Sequence, residues 1–149
     1  MAVPVGSGYE TVHGHHFEDC DNNQALILGL QHHVYTVTLI NINCQAVDSI
    51  YDCAEIKFIG YDAHGGGSAQ TMMLVRTNLE VNQTYVWNHK FSFNGCEPNS
   101  TDALDAASQI LIAAQGTSTQ QSLNFDCTSS DDGGQNYDVM VSYIDQNFS

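Results

Sequence analysis

Hydrophobic and polar residues alternate with a period of two along most of this 149-residue chain. Such a period sends successive side chains to opposite faces of a sheet, so it predicts half-buried strands. His33 to Ile42 is rich in β-branched and aromatic residues, with Val37 and Leu39 alternating with Thr36 and Thr38. Asp52 to Tyr61 places Ile56 and Phe58 opposite Glu55 and Lys57. A turn at Asp62–Ser68, containing Gly65, Gly66 and Gly67, leads into a strand over Ala69 to Thr77. Thr84 to Asn94 reads as one long strand with Phe91 and Phe93 on one face. Tyr9 to Val12 begins a first strand, and Gln24 to Leu30 is a short apolar run closed by a glycine. At the far end, Leu123, Phe125 and Cys127 alternate with polar residues, as do Tyr137, Val139, Val141 and Tyr143. The polar stretch between them holds Gly133 and Gly134, so Ser122 to Ile144 is predicted to be a β-hairpin.

One segment departs from this pattern. Ser100 or Thr101 can cap a helix, and acids and alanines follow, so a helix of about two turns is expected near 101–108. Gln109 to Ala114 is assigned to a strand because Ile-Leu-Ile precedes a Gly-Thr-Ser-Thr turn. Residues 1–8 are expected to form a flexible N-terminal arm. Residues 9–149 are expected to form a single all-β domain. That domain is a β-sandwich of about eight or nine mostly antiparallel strands, jelly-roll or immunoglobulin-like.

Charge narrows the partners. Seventeen acidic residues face three basic ones (Lys57, Arg76, Lys90), a net charge of −14. Three scattered cations neutralise few phosphates, which argues against nucleic acid and against an anionic membrane surface. The acids are spread through turns and polar strand faces. That pattern favours a solvated acidic surface over a dedicated acidic face for a basic partner. No apolar run approaches the ~20 residues of a membrane span. Met1–Gly6 has neither a basic nor an apolar signal region, so synthesis in a cytoplasm is expected. The five cysteines (20, 44, 53, 96 and 127) are odd in number and contain no C-x-x-C. Cys44 and Cys53 flank a connection that a cross-strand bridge could span, but buried free thiols are expected. The sequons at Asn82 and Asn99 are expected to be idle.

Candidate chemistry is sparse. His13, His15, His16, Glu18, Asp19 and Cys20 bring metal-ligating side chains together, here assigned to a polar loop. A His-x-His followed by Glu is also similar to the first metal motif of cupins. Glu18 is too close to His15 for that motif, however, and no second motif follows. Asp19, Asp21 and Asn23 occupy the first ligand positions of a calcium loop. Gln24 and Leu30 then stand where Gly and Glu are needed. Asp131–Asn136 reads as a hydrophilic turn. Gly6-Ser7-Gly8 is not a nucleophile elbow, and Gly65–Gly67 is not a phosphate loop. Trp87 and the tyrosines are assigned to core or rim rather than to a sugar platform. No catalytic residue, cofactor or metal is expected.

Several stretches resemble small β-sandwich virion proteins of tailed bacteriophages, notably of aquatic and cyanobacterial phages. They are Val3-Pro-Val-Gly-Ser-Gly-Tyr-Glu-Thr-Val, Tyr35-Thr-Val-Thr-Leu-Ile-Asn, Met73-Leu-Val-Arg-Thr and Tyr137-Asp-Val-Met-Val-Ser-Tyr-Ile. The resemblance spreads over residues 3–144, with the His13–Cys20 segment and Gly95–Ala107 departing from it. It implies a non-enzymatic capsid decoration (cement) protein on the phage head, bound to the major capsid protein. For such a role self-association about a symmetry axis, as a trimer, is expected. The alternatives are a tail or neck accessory protein, a receptor- or sugar-binding β-sandwich, and a metal-dependent cupin-like protein using His13–Cys20.

Overall fold

The computed structural model describes residues 9–61, 68–98, 115–128 and 134–147. The expected arm (1–8), the helix near 101–108 and the strand over 109–114 lie outside them. The described residues form eleven strands and no helix. They are β1 (Tyr9–Cys20), β2 (Gln24–Leu28), β3 (His33–Ala46), β4 (Cys53–Tyr61), β5 (Ala69–Thr77), β6 (Thr84–Trp87), β7 (Phe91–Asn94), β8 (Cys96–Pro98), β9 (Gln115–Gln120), β10 (Ser122–Thr128) and β11 (Asn136–Asn147).

Two antiparallel sheets face each other. The first runs β1-β11-β3, with β6 and β7 both on the outer flank of β3. The second runs β2-β10-β4-β5. β6 and β7 follow one edge, Ile40 pairing with Trp87 and Val37 with Phe91. The expected long strand over Thr84–Asn94 is therefore a strand interrupted at 88–90. Counted as one, β6 and β7 complete an eight-stranded order in which the chain changes sheet at every connection except β4–β5 and the interruption itself. That winding is a jelly roll, not an immunoglobulin fold. β8 and β9 form a small separate sheet inserted before β10. β9 also corrects the turn expected after Ala114.

The closing segment is not a hairpin. β10 pairs with β2 and β4, whereas β11 pairs with β1 and β3. The polar connection crosses from one sheet to the other, and the two apolar faces meet instead of lying side by side. Phe125 and Tyr137 pack across the gap with ring centroids 5.6 Å apart. Alternation alone could not separate the two arrangements, because a hairpin and a sheet crossing share the same strand period.

The core is what the alternation predicts. Val37, Ile40 and Ile42 of β3, Ile56 of β4, Leu123 and Phe125 of β10, and Tyr137, Val139 and Val141 of β11 are fully buried. Each is worth roughly 1.5–3 kcal/mol of burial. β3 needs one adjustment. The β3–β11 register passes from Val37 to Leu39 and skips Thr38. This bulge changes the phase, so Ile40 points inward and Leu39 is only half-buried. The Thr38 hydroxyl donates to the Ser142 carbonyl at 3.0 Å. Phe58 packs on both Phe91 and Phe93 at 5.1 Å, tying β4 to β7.

Outside the core, β4 carries a buried charge. Glu55 is 3% exposed on the face that alternation assigns to solvent. Lys57 Nζ lies 3.0 Å from Glu55 and 2.9 Å from Asp126, Arg76 Nε lies 3.6 Å from Glu55, and the Thr128 hydroxyl also donates to Glu55. At the opposite end of the sandwich, Gly29 and Gly95 bring two backbones into contact. A Cβ on Gly95 would sit 2.0 Å from the Leu30 carbonyl oxygen, and one on Gly29 would sit 2.0 Å from that of Gly95.

Two outcomes follow. Gly95→Ala lowers stability by about 3 kcal/mol in urea unfolding, since backbone must move. Gly14→Ala, where a Cβ meets nothing within 4 Å, stays within about 0.5 kcal/mol. Lys57→Met costs about 2–3 kcal/mol by leaving Glu55 under-paired, and adding Glu55→Gln recovers part of that loss. Equal melts for Gly95→Ala and Gly14→Ala, or no recovery in the double variant, contradict these assignments.

Candidate functional site

The segment expected to be a histidine loop is the second half of β1. It pairs with β11 from Tyr9↔Asn147 to Cys20↔Tyr137, with one irregularity between Phe17 and Cys20. Strand geometry splits its side chains. His13 and His15 stack with ring centroids 6.0 Å apart, and both lie against Tyr143, at 5.2 and 5.8 Å. His15 Nε2 is 3.2 Å from the Tyr143 hydroxyl, and His13 Nε2 is 2.9 Å from Thr11 Oγ1. His16 alternates to the other face, where it lies 3.7 Å from Glu18 with both side chains exposed.

Asp19 takes φ 56. Its N–H donates to Asp138 and its Oδ1 accepts from Asn136, both at 3.1 Å. It is therefore held by β11 rather than offered to an ion. No three His, Cys, Asp or Glu side chains converge as a metal site among the described residues. Asn136 begins β11, while Asp131, Asp132, Gly65–Gly67, Gly6-Ser7-Gly8 and Asn99 lie outside the described residues. Asn82 stands exposed in a turn at φ 69. Trp87 is 8% exposed and belongs to the core.

The cysteines are unpaired, four buried and Cys127 half-buried. Cys20 and Cys44 flank Tyr137 in adjacent strands. Burial raises the Cys20 thiol to about 11, reinforced by the carboxylate of Asp138. Burial likewise raises Cys44, Cys96 and Cys127. Thiols held protonated are poor nucleophiles and poor metal ligands. Burial also pushes Tyr35 up to about 12, although the Leu30 N–H bond to its oxygen pulls the other way, and it raises Tyr137 further. His33 Nδ1 lies 2.7 Å from Asp145 Oδ1 and joins β3 to β11.

Sequence reasoning passed over a different place. The β3–β4 connection (47–52) and the β5–β6 connection (78–83) enclose an open groove of about 450 Å³. Asp52 Oδ2 accepts from the N–H groups of Asp48 and Ser49 at 2.8 and 3.1 Å. Asn78 Nδ2 donates to the carbonyls of Ile50 and Asp52 at 3.0 and 2.9 Å. Gln83 Oε1 accepts from Glu80 N–H at 2.9 Å, and Cys44 exchanges backbone bonds with Asn82 and Gln83. The Asp48 carboxylate packs on Gly134, at φ 142, where any Cβ would collide with it. These braced loops hold Ile50 82%, Tyr51 71% and Val81 48% exposed. The signal was present in the sequence: three large apolar residues inside stretches that otherwise read as turns.

No family model matches the chain, and no curated protein matches it in sequence. Among solved structures it is similar to a protein of Bacillus endospore appendages, described as a novel family of disulfide-linked pili. That match has 5% identity and a TM-score of 0.41, over 100% of this chain and 98% of the other. It is also similar to a chain of infectious bursal disease virus strain Gx, at 8% identity and TM-score 0.41, over 95% of this chain and 37% of the other. A chain of the T13 particle of that virus matches at 9% identity and TM-score 0.36, over 93% and 35%. The chain thus spans little more than a third of the viral chains. Likenesses this distant carry no argument about activity or assembly.

The raised Cys20 and Tyr35 groups give a pH dependence with a definite sign. The native state keeps protons that the unfolded chain releases between about pH 9 and 12, so stability is flat below that window and falls as pH rises through it. The urea midpoint is expected to be lower at about pH 10.5 than at pH 8, and Tyr35→Phe flattens part of the fall. An unchanged or rising midpoint rules this out.

Proposed function

We propose that this chain is a structural virion protein, and within that class a capsid decoration (cement) protein on the outer surface of a phage head. The observation that carries this reading is the filled jelly roll. Side chains of both sheets occupy the interior, so the described body offers its chemistry on loops and edges. Viral capsid proteins, lectins and cupins share this winding, and fold alone does not choose among them. The cupin-like alternative is weakened because His13 and His15 are separated from His16 and Glu18 by the strand itself. The sugar-platform alternative is weakened because Trp87 is buried.

A cement protein acts by adding bound surface across a shell and stabilising it by mass action. Its partner here is the major capsid protein. Residues 1–8 supply an arm that engages the shell, and copies associate about a symmetry axis, as a trimer. Neither cofactor nor catalysis enters this role.

The test is co-sedimentation of purified chain with undecorated phage heads. The full chain is expected to sediment with heads and raise their temperature of disruption. Deleting residues 2–8 is expected to weaken binding while leaving the chain's own thermal melt unchanged. Absence from the head pellet overturns the cement reading, and full binding by the deletion variant overturns the role of the arm.

A further inference from the structure

We propose that the groove between residues 47–52 and 78–83 is a docking site for an arginine side chain projecting from a partner protein's surface. This deepens the structural reading and rests on it only for which protein docks there.

The charges point to a cation. Asp48, Asp52 and Glu80 line the groove, and no lining residue is basic. Asp52 is 1% exposed, and its Oδ1 has no hydrogen-bond partner among the described residues, although Oδ2 accepts two N–H bonds. The Oδ1 atom is enclosed by protein, so Asp52 lends negative field to the groove wall, while the exposed carboxylates of Asp48 and Glu80 are the ones a guanidinium can pair with. Two of the chain's three cations, Lys57 and Arg76, are already committed to Glu55 and Asp126. A positive charge over this acidic lining therefore fits a partner better than this chain.

The apolar contacts point to a long stem behind that charge. Ile50, Leu79 and Val81 supply aliphatic wall, and Tyr51, next to Ile50 in the chain, is 71% exposed. A guanidinium at the end of a three-carbon stem stacks on aromatic faces and pairs with carboxylates through a planar fork, which an ammonium cannot do. Loops already fixed by Asn78, Asp52 and Gln83 lose little freedom on binding. Ile50 and Val81 are exposed yet grouped around one groove, and apolar side chains grouped in this way mark a contact surface.

The test is an NMR titration of the full isotopically labelled chain with acetyl-Leu-Arg-Leu-amide, repeated with the citrulline and lysine peptides. Citrulline keeps the shape of arginine without its charge. Saturable shifts confined to 47–52 and 78–83 are expected. Binding should be roughly tenfold weaker for citrulline, weaker for lysine, and weakened by added salt. Ile50→Ser and the Asp48→Asn/Glu80→Gln pair should each reduce binding while the thermal melt stays that of the parent. Equal citrulline binding, shifts scattered over the sheets, or no saturation up to the peptide's solubility overturns the proposal. So does a lysine peptide that binds as well. Peptide binding without head binding would sink the cement reading alone. Head binding unaffected by these variants would sink the groove alone.

Discussion

Everything in this sandwich hangs on β11 being hydrogen-bonded along both flanks. Its ladders with β1 and β3 run nearly its whole length. That places Tyr137, Val139, Val141 and Tyr143 on one face without alternatives. It also dictates which residues of each neighbour share that face: His13, His15, Phe17 and Cys20 on one side, and Val37, Ile40, Ile42 and Cys44 on the other. A slip of one residue would turn all of them outward. The irregularities at Thr38 and after Phe17 absorb the mismatches in spacing without breaking this arrangement.

The same constraint explains why the chemistry that looks richest in sequence is poorest in space. Potential ligands adjacent along a strand are divided by the sheet plane, so crowding in sequence becomes separation in the fold. Cysteines far apart in sequence meet around Tyr137, but their burial makes them packing groups. Electrostatics is distributed just as unevenly. Lys57 and Arg76 are gathered on the outer face of the β2-β10-β4-β5 sheet, which leaves the β3–β4 and β5–β6 loops with carboxylates and no balancing cation along the groove.

Strands β3, β4, β5, β10 and β11 were legible because β-branched and aromatic residues alternate there with polar ones. β1 was half-missed because histidine, counted as polar, hides a period in which His13 and His15 share the sheet face of Tyr143. The pairing partners of β10 and β11 were not legible at all. Period two reports a face, whereas the partner depends on which way the connection leads. Leu39 was misassigned for a smaller reason, a single bulged threonine that no local pattern announces. The groove escaped notice because its two walls are about thirty residues apart and each reads as a turn. The bonds from Asn78 to the carbonyls of Ile50 and Asp52 bring them together.

The pairing of Tyr9 with Asn147 has a mechanical consequence. These residues sit at the same end of an antiparallel ladder, so tension applied between them pulls across the strands rather than along them. The hydrogen bonds of β1 and β11 would then be loaded one after another, as in a zipper, instead of sharing the force in shear. The body is therefore weak against load introduced at this pair and stronger against load entering at opposite ends of the sandwich. Force that enters through the loops at the ends of the sandwich would leave this seam unloaded.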